Sequence, residues 1–188
     1  MNSAIDIKGE HAAIAIVLDA MKKLALDMRI GKFIDSYRIV QILDFLHTYT
    51  EHSHYEKEEK CIYPALLESD IPWTADTINH LISEHKLAYG YIIEIDALLE
   101  EYLTGNVQII ESLSASMIKY VELGKRHIKI VDTVLLPLCD RIFDADKLKS
   151  VSKALKKIHE QNIGHQQEYY QFLEMIYAEN DRINESVY

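Results

Sequence analysis

The stretch His54-Tyr-Glu-Lys-Glu-Glu-Lys-Cys-Ile-Tyr-Pro64 sets a histidine one helical turn before a carboxylate, Glu58, and ten residues before a proline. The plan returns downstream, where His127 precedes Asp132 and Pro137 again lies ten residues after the histidine. The step is 73 residues, from His54 to His127 and from Pro64 to Pro137, and it carries Glu59 onto Asp132. His11 and His85 keep nearly the same step, 74 residues. The chain therefore reads as two copies of one unit. Each copy is a helix with a single inward histidine, followed by a helix with a histidine and a carboxylate. That set of nitrogen and oxygen donors asks for a metal ion.

The flanking sequence supplies the helices. From Ala4 to Met28 the positions Ile7, His11, Ile14, Leu18, Met21, Ala25 and Met28 alternate in steps of four and three, which is one stripe on one helical face. Gly31 closes that helix. A second begins near Asp35 or Ser36 as cap and carries Val40, Leu43, Thr50, His54 and Glu58 to Cys61; Pro64 ends or kinks it, with one more turn through Leu66 and Leu67. Thr74 is the expected cap of a third helix, whose stripe Ile78, Leu81, His85, Ala88, Ile92, Ile95, Leu99 and Tyr102 aims His85 inward until Thr104-Gly105-Asn106. A fourth starts near Val107 and bears Leu113, Met117, Tyr120, Gly124, His127 and Val131 on one face up to Pro137. A wetter final helix, about 144–179, is expected outside the others. Short connections predict antiparallel neighbours. The expected fold is all-α: an up-and-down antiparallel four-helix bundle over about 4–140 with an additional C-terminal helix at about 144–180, in one domain spanning 1–188.

Bulk properties narrow the function. A chain of 188 residues suits one domain with a proper core. A formal charge of −10 argues against a nucleic-acid partner, which needs clustered Lys and Arg. No apolar run is long enough to span a membrane, and the first residues lack the layout of a secretory signal. Cys61 and Cys139 make no disulfide framework and no Cys-x-x-Cys pair. These features predict a reduced, cytoplasmic protein whose thiols are buried core residues.

A bundle core excludes water, so a buried His or Glu there needs a partner. In antiparallel helices His11 and His54 share a level, as do His85 and His127, and a pseudo-two-fold axis gathers four imidazoles and two carboxylates at one depth. Nitrogen and oxygen ligands without thiolate suit iron, manganese or zinc, and two six-coordinate ions offer about twelve positions. Four histidines, two bridging carboxylates (Glu58 and Asp132) and a shared oxide or hydroxide leave about two positions open for water or a diatomic ligand. One irregularity stands out. Glu58 lies about 40° around the helix from His54, whereas Asp132 lies about 140° from His127. Pro137 crowds the carbonyl of Thr133 and lets the helix distort there. Glu59 is expected outside the ligand set, facing outward or supporting it. His47 with Glu51 and His80 with Glu84 share the four-residue spacing without recurring at the 73-residue step; His52, His159 and His165 read as surface residues. The single Glu51-x-x-His54 lacks the second copy that a ferritin-like site requires.

These motifs resemble the hemerythrin-like proteins, whose HHE cation-binding domains hold a non-haem di-iron site in a four-helix bundle. Glu10-His11 and Glu84-His85 match the first and third helices. His54, Glu58, Glu59 and Ile62-Tyr63-Pro64 match the second; His127, Asp132 and Leu136-Pro137 match the fourth. The resemblance covers about 4–140. It implies metal ligands His11, His54, Glu58, His85, His127 and Asp132, and as cofactor two iron ions in an oxo- or hydroxo-bridged centre. Two departures are visible. Leu81 and Tyr89 stand where hemerythrin has a further histidine, and Val131 stands where many four-histidine members carry Glu. The family implies a protein that binds or senses a small diatomic ligand or oxidant: oxygen, nitric oxide or peroxide. The alternative is an enzyme that reduces nitric oxide or peroxide, or that donates iron for iron–sulfur cluster repair. A third reading, a histidine phosphotransfer bundle, needs an exposed histidine among basic residues. The sequence leaves the oligomeric state open, a homodimer included.

Overall fold

The computed structural model describes residues 3–162 and 166–185, with side chains described over 7–162 and 169–178. Six helices and no strand are found among the described residues. Helix α1 is Ser3–Arg29. Its end is set by Gly31 at φ 71°, where the amides of Gly31 and Lys32 donate to the carbonyls of Met28 and Asp27. That pairing closes a helix only through a left-handed residue, hence glycine. Helix α2 spans 36–67 and opens on Asp35, whose side chain accepts from the Tyr37 amide at 3.0 Å. Helix α3 is Thr74–Leu103 and ends on the same device at Gly105 (φ 97°). Thr74 is its first residue and gives its hydroxyl to the Ile71 carbonyl at 2.7 Å. Helix α4 follows a short turn at Val107–Ile109 and spans 110–142.

Neither proline ends its helix. Instead the turn before each widens, with Glu58–Ile62 and Val131–Leu135 bonded i to i+5: the Tyr63 amide donates to Glu58 and the Leu136 amide to Val131. A proline has no amide for the fourth carbonyl back and presses on it, and a wider turn relieves both. The two wide turns are themselves 73 residues apart. A third, Leu46–His54, has no proline after it.

Cross-helix bonds run in opposite order along neighbouring helices. On α1 and α4, Arg29 meets Ser114, Asp19 meets Lys125 and His11 meets Asp132. On α2 and α3, His47 meets Asp96 and Glu59 meets His85. On α3 and α4, Glu94 meets Ser116 and Glu84 meets Arg126. Helices α1 and α4 approach closely at Gly124, where a Cβ would lie 2.9 Å from Leu18 Cδ1.

The core has two apolar clusters. One includes Ile14, Leu18, Met21, Leu46, Ala88 and Met117. The other includes Ile7, Ile62, Leu66, Leu81, Val131 and Leu135. In each helix the histidine falls between residues of one cluster and residues of the other, so a polar layer lies between two apolar plugs.

One continuous final helix was the expectation; two are present, α5 (Ala145–Gln161) and α6 (Gln166–Glu185). Asp144 caps α5 by accepting from the Lys147 amide at 2.8 Å. Val151, Leu155 and Ile158 of α5 join the second cluster, and Tyr169 of α6 packs edge-on against Phe45 and Tyr49. His165 lies outside the described residues. Among the described residues no helix is long and apolar enough to cross a membrane.

Candidate metal centre

Five of the six expected ligands meet in the polar layer. Glu58 is fully buried and lies between two histidine pairs. Its Oε1 is 3.3 Å from Nε2 of His11 and 3.5 Å from Nε2 of His54. Its Oε2 is 3.1 Å from Nε2 of His127 and 3.2 Å from Nε2 of His85. Within the pairs the Nε2 atoms are 3.1 Å apart (His11, His54) and 3.2 Å apart (His85, His127). Tyr63, also buried, donates its hydroxyl to Oε2 of Glu58 at 2.5 Å. Helical spacing explains Glu58: only ordinary α backbone, Tyr55–Lys57, separates it from His54, so both share a face.

Behind the rings stand four carboxylates, one per histidine. Nδ1 of His11 donates to Asp132 at 2.7 Å, His54 to Glu10 at 2.8 Å, His85 to Glu59 at 2.6 Å and His127 to Glu84 at 3.3 Å. With each Nδ1 donating to its carboxylate, a ring that gives up its second proton turns the lone pair of Nε2 toward the centre of the layer. Asp132, expected as a second bridge, is thus not brought to the cluster; its contact is with the far side of His11. The wide turn explains why. It begins only at Val131, so the backbone from His127 to Ile130 is regular and Asp132 points away from the face that His127 occupies. The residue that answers Glu58 at the 73-residue step is Val131, which is fully buried.

The donor set fits cations. Four Nε2 atoms and a carboxylate facing one another in a dry layer need positive charge between them, protons or metal ions. Two ligands each about 2.1 Å from one ion and about 90° apart are about 3.0 Å from each other. The separations of 3.1–3.5 Å between these donors match that edge. Two overlapping groups, His11 with His54 and Glu58, and His85 with His127 and Glu58, could each hold an ion. A model of the hemerythrin HHE cation binding domain matches residues 4–139. The chain belongs to the hemerythrin family. Searches of curated proteins and of solved structures returned no match.

The electrostatics of this hemerythrin domain carry the same demand for positive charge. Burial works against the Glu58 charge, yet the charge of His127 and hydrogen bonds with His11, His127 and His54 outweigh it, holding the carboxyl well below its usual range. Burial likewise disfavours a charged His54, but Glu10 and Glu58 raise it to about 9, and His127 is raised by Glu58 and Glu84. Glu10 and Glu84 are lowered despite burial, mainly through His54 and His127 respectively.

Sequence reasoning passed over Glu10 and weighed Glu84 only as a partner of His80. Their signal was present: both precede a histidine, and the pair recurs at 74 residues. Tyr55, stacked on His85 with ring centroids 3.7 Å apart, left no such signal. Among the described residues the other histidines lie away from the cluster. His47 bridges Glu51 and Asp96, His80 contacts Glu84 from an exposed position, and His52 and His159 are exposed. Cys61 and Cys139 are buried free thiols.

Proposed function

We propose that this chain is a non-haem di-iron protein that binds or senses a small diatomic ligand or oxidant: oxygen, nitric oxide or peroxide. The observation that carries the reading is Glu58, whose two oxygens each serve a separate pair of buried histidine nitrogens. In this reading His11, His54, His85, His127 and Glu58 would hold the two ions, with Glu58 shared between the two histidine pairs, and Asp132 would hold His11 in place rather than join a metal. A bound iron pair supplies redox-active positions at which a small molecule can bind.

The chain's own residues do the rest. Glu10, Glu59, Glu84 and Asp132 orient the four rings and raise their basicity as ligands. Tyr63 holds the Oε2 side of Glu58, and the two apolar clusters keep bulk water out. Val131 supports an open position, because an apolar side chain occupies the second repeat's counterpart of Glu58 and cannot ligate. A surface cavity of about 700 Å³ lined by Tyr55, Glu59, His85, Lys86 and Tyr89 reaches the His85 ring and offers a way in.

Titration of iron(II)-loaded protein with nitric oxide in the absence of air tests the reading. A saturable change in the visible spectrum, capped by the iron content and absent in His85→Ala, is expected. No spectral change in protein that does hold iron would refute ligand binding. Sustained consumption of nitric oxide or peroxide with an added reductant would turn the reading to an enzyme.

A further inference from the structure

A second cavity, about 660 Å³, lies between the bundle and the C-terminal helices. Its walls are mostly apolar and aromatic, with Ile7 and Ala13 of α1, Tyr49 of α2, Leu155 of α5 and Leu173 of α6, and include the polar Ser53, Ser152 and Asn162. That volume is within the range of pockets that enclose small organic molecules. Lys57, only 3 % exposed, is part of the lining. Its ammonium pairs with Oε1 of Glu10, its one hydrogen-bond partner among the described residues. An ammonium has three protons to donate, so this buried cation keeps donors for another acceptor. Lys156 also lines the cavity, and among the described residues Glu10 is the only carboxylate that does. The described lining thus has a formal charge of +1, two lysines against one glutamate, inside a chain of net charge −10. A largely apolar, partly open cavity with a buried cation in its wall selects an apolar body with one anionic group.

We propose that this cavity binds a small amphipathic carboxylate, its head on Lys57 and its chain among Tyr49, Leu155, Tyr169 and Leu173. The position gives such a ligand influence over the metal layer. Glu10 divides its two oxygens between Lys57 and Nδ1 of His54, the latter at 2.8 Å. An anion on Lys57 draws that ammonium from Glu10 and leaves the carboxylate more fully to His54. This coupling, unlike the binding itself, rests on the metal reading above. It also gives the C-terminal helices a role, since α5 and α6 form the outer wall.

Calorimetric titration of the metal-free full chain with octanoate, 1-octanol and octylamine tests the site. Octanoate is expected to bind one per chain, roughly ten- to a hundred-fold tighter than octanol, as one charge-assisted hydrogen bond allows. Octylamine is expected not to bind. Lys57→Met should remove the preference for octanoate over octanol. Ala13→Phe, which fills the cavity from a half-buried position on α1 and leaves the Lys57–Glu10 pair in place, should block all three while leaving helicity intact; it decides the matter if Lys57→Met fails to fold. Equal binding of octanoate and octanol, non-saturating uptake, or octanoate affinity unaffected by Ala13→Phe would overturn the proposal. Iron(II) titration with and without octanoate reads the coupling, which by reciprocity must shift both affinities by the same factor. An unchanged iron affinity would overturn the coupling. Failure to take up iron at all would instead refute the metal reading and leave the octanoate result standing.

Discussion

Asp132→Asn separates a metal ligand from a residue that positions one. The structure puts Oδ1 of Asp132 2.7 Å from Nδ1 of His11, so the substitution keeps a hydrogen-bond acceptor behind the ring and removes its charge. Loss of such outer support typically weakens metal binding about 10- to 100-fold, or about 1.4–2.7 kcal/mol. Asp132 is 29 % exposed, so solvent screens its charge and the low end applies, about tenfold. Glu59→Gln should behave alike, because Glu59 does the same for His85 at 40 % exposure. Glu84→Gln and Glu10→Gln should cost more, toward a hundredfold, since those side chains are 4 % and 12 % exposed. The assay is competition for iron(II) against a chromophoric chelator, with total metal counted separately. Both metal equivalents should remain in Asp132→Asn at saturating iron. Loss of a whole equivalent, as in His127→Ala, would make Asp132 a ligand and refute the positioning role; wild-type affinity would refute any role.

Three further outcomes follow from the same geometry. The metal-free protein should lose stability as pH rises from about 6.5 to about 9: His54 is raised to about 9, so its contribution is complete below the unfolded value and disappears as the folded group deprotonates, by up to about 3 kcal/mol. Thermal melts across that range check this, and a midpoint that climbs with pH would contradict it. Gly124→Ala should destabilise by about 1 kcal/mol, because overpacking against Leu18 at 2.9 Å, about 1–3 kcal/mol, exceeds the helical gain of about 1 kcal/mol; denaturant unfolding measures it. Both cysteines should resist a thiol reagent at pH 8 until the chain unfolds, since burial pushes Cys61 up and Cys139 to about 12.

Much of this architecture was legible because helical burial writes itself as a three–four alternation. The stripe through Ile78, His85 and Leu99 gave both the helix and the inward direction of its histidine. The repeat step then tied His54 to His127 and Glu59 to Asp132, and the structure keeps both pairings: Glu59 and Asp132 stand behind His85 and His11 in the same way. Asp132 was less legible because its direction depends on where a wide turn begins, and the sequence marks only Pro137, not Val131, as its cause. The final helix is one segment in the sequence reading, about 144–179, whereas the structure ends α5 at Gln161 and begins α6 at Gln166. Glu10 was obscured by its neighbour; a carboxylate beside a histidine on one helix serves a histidine on another, which needs the packing to see.

The most direct test of the account is metal counted per chain on protein purified without oxygen and reloaded with iron(II). About two irons per chain are predicted, with His54→Ala and His127→Ala each losing metal while keeping their helicity. A fully helical chain that refuses iron(II) would contradict the account and return the four histidines and Glu58 to a protonated hydrogen-bonded layer of the core.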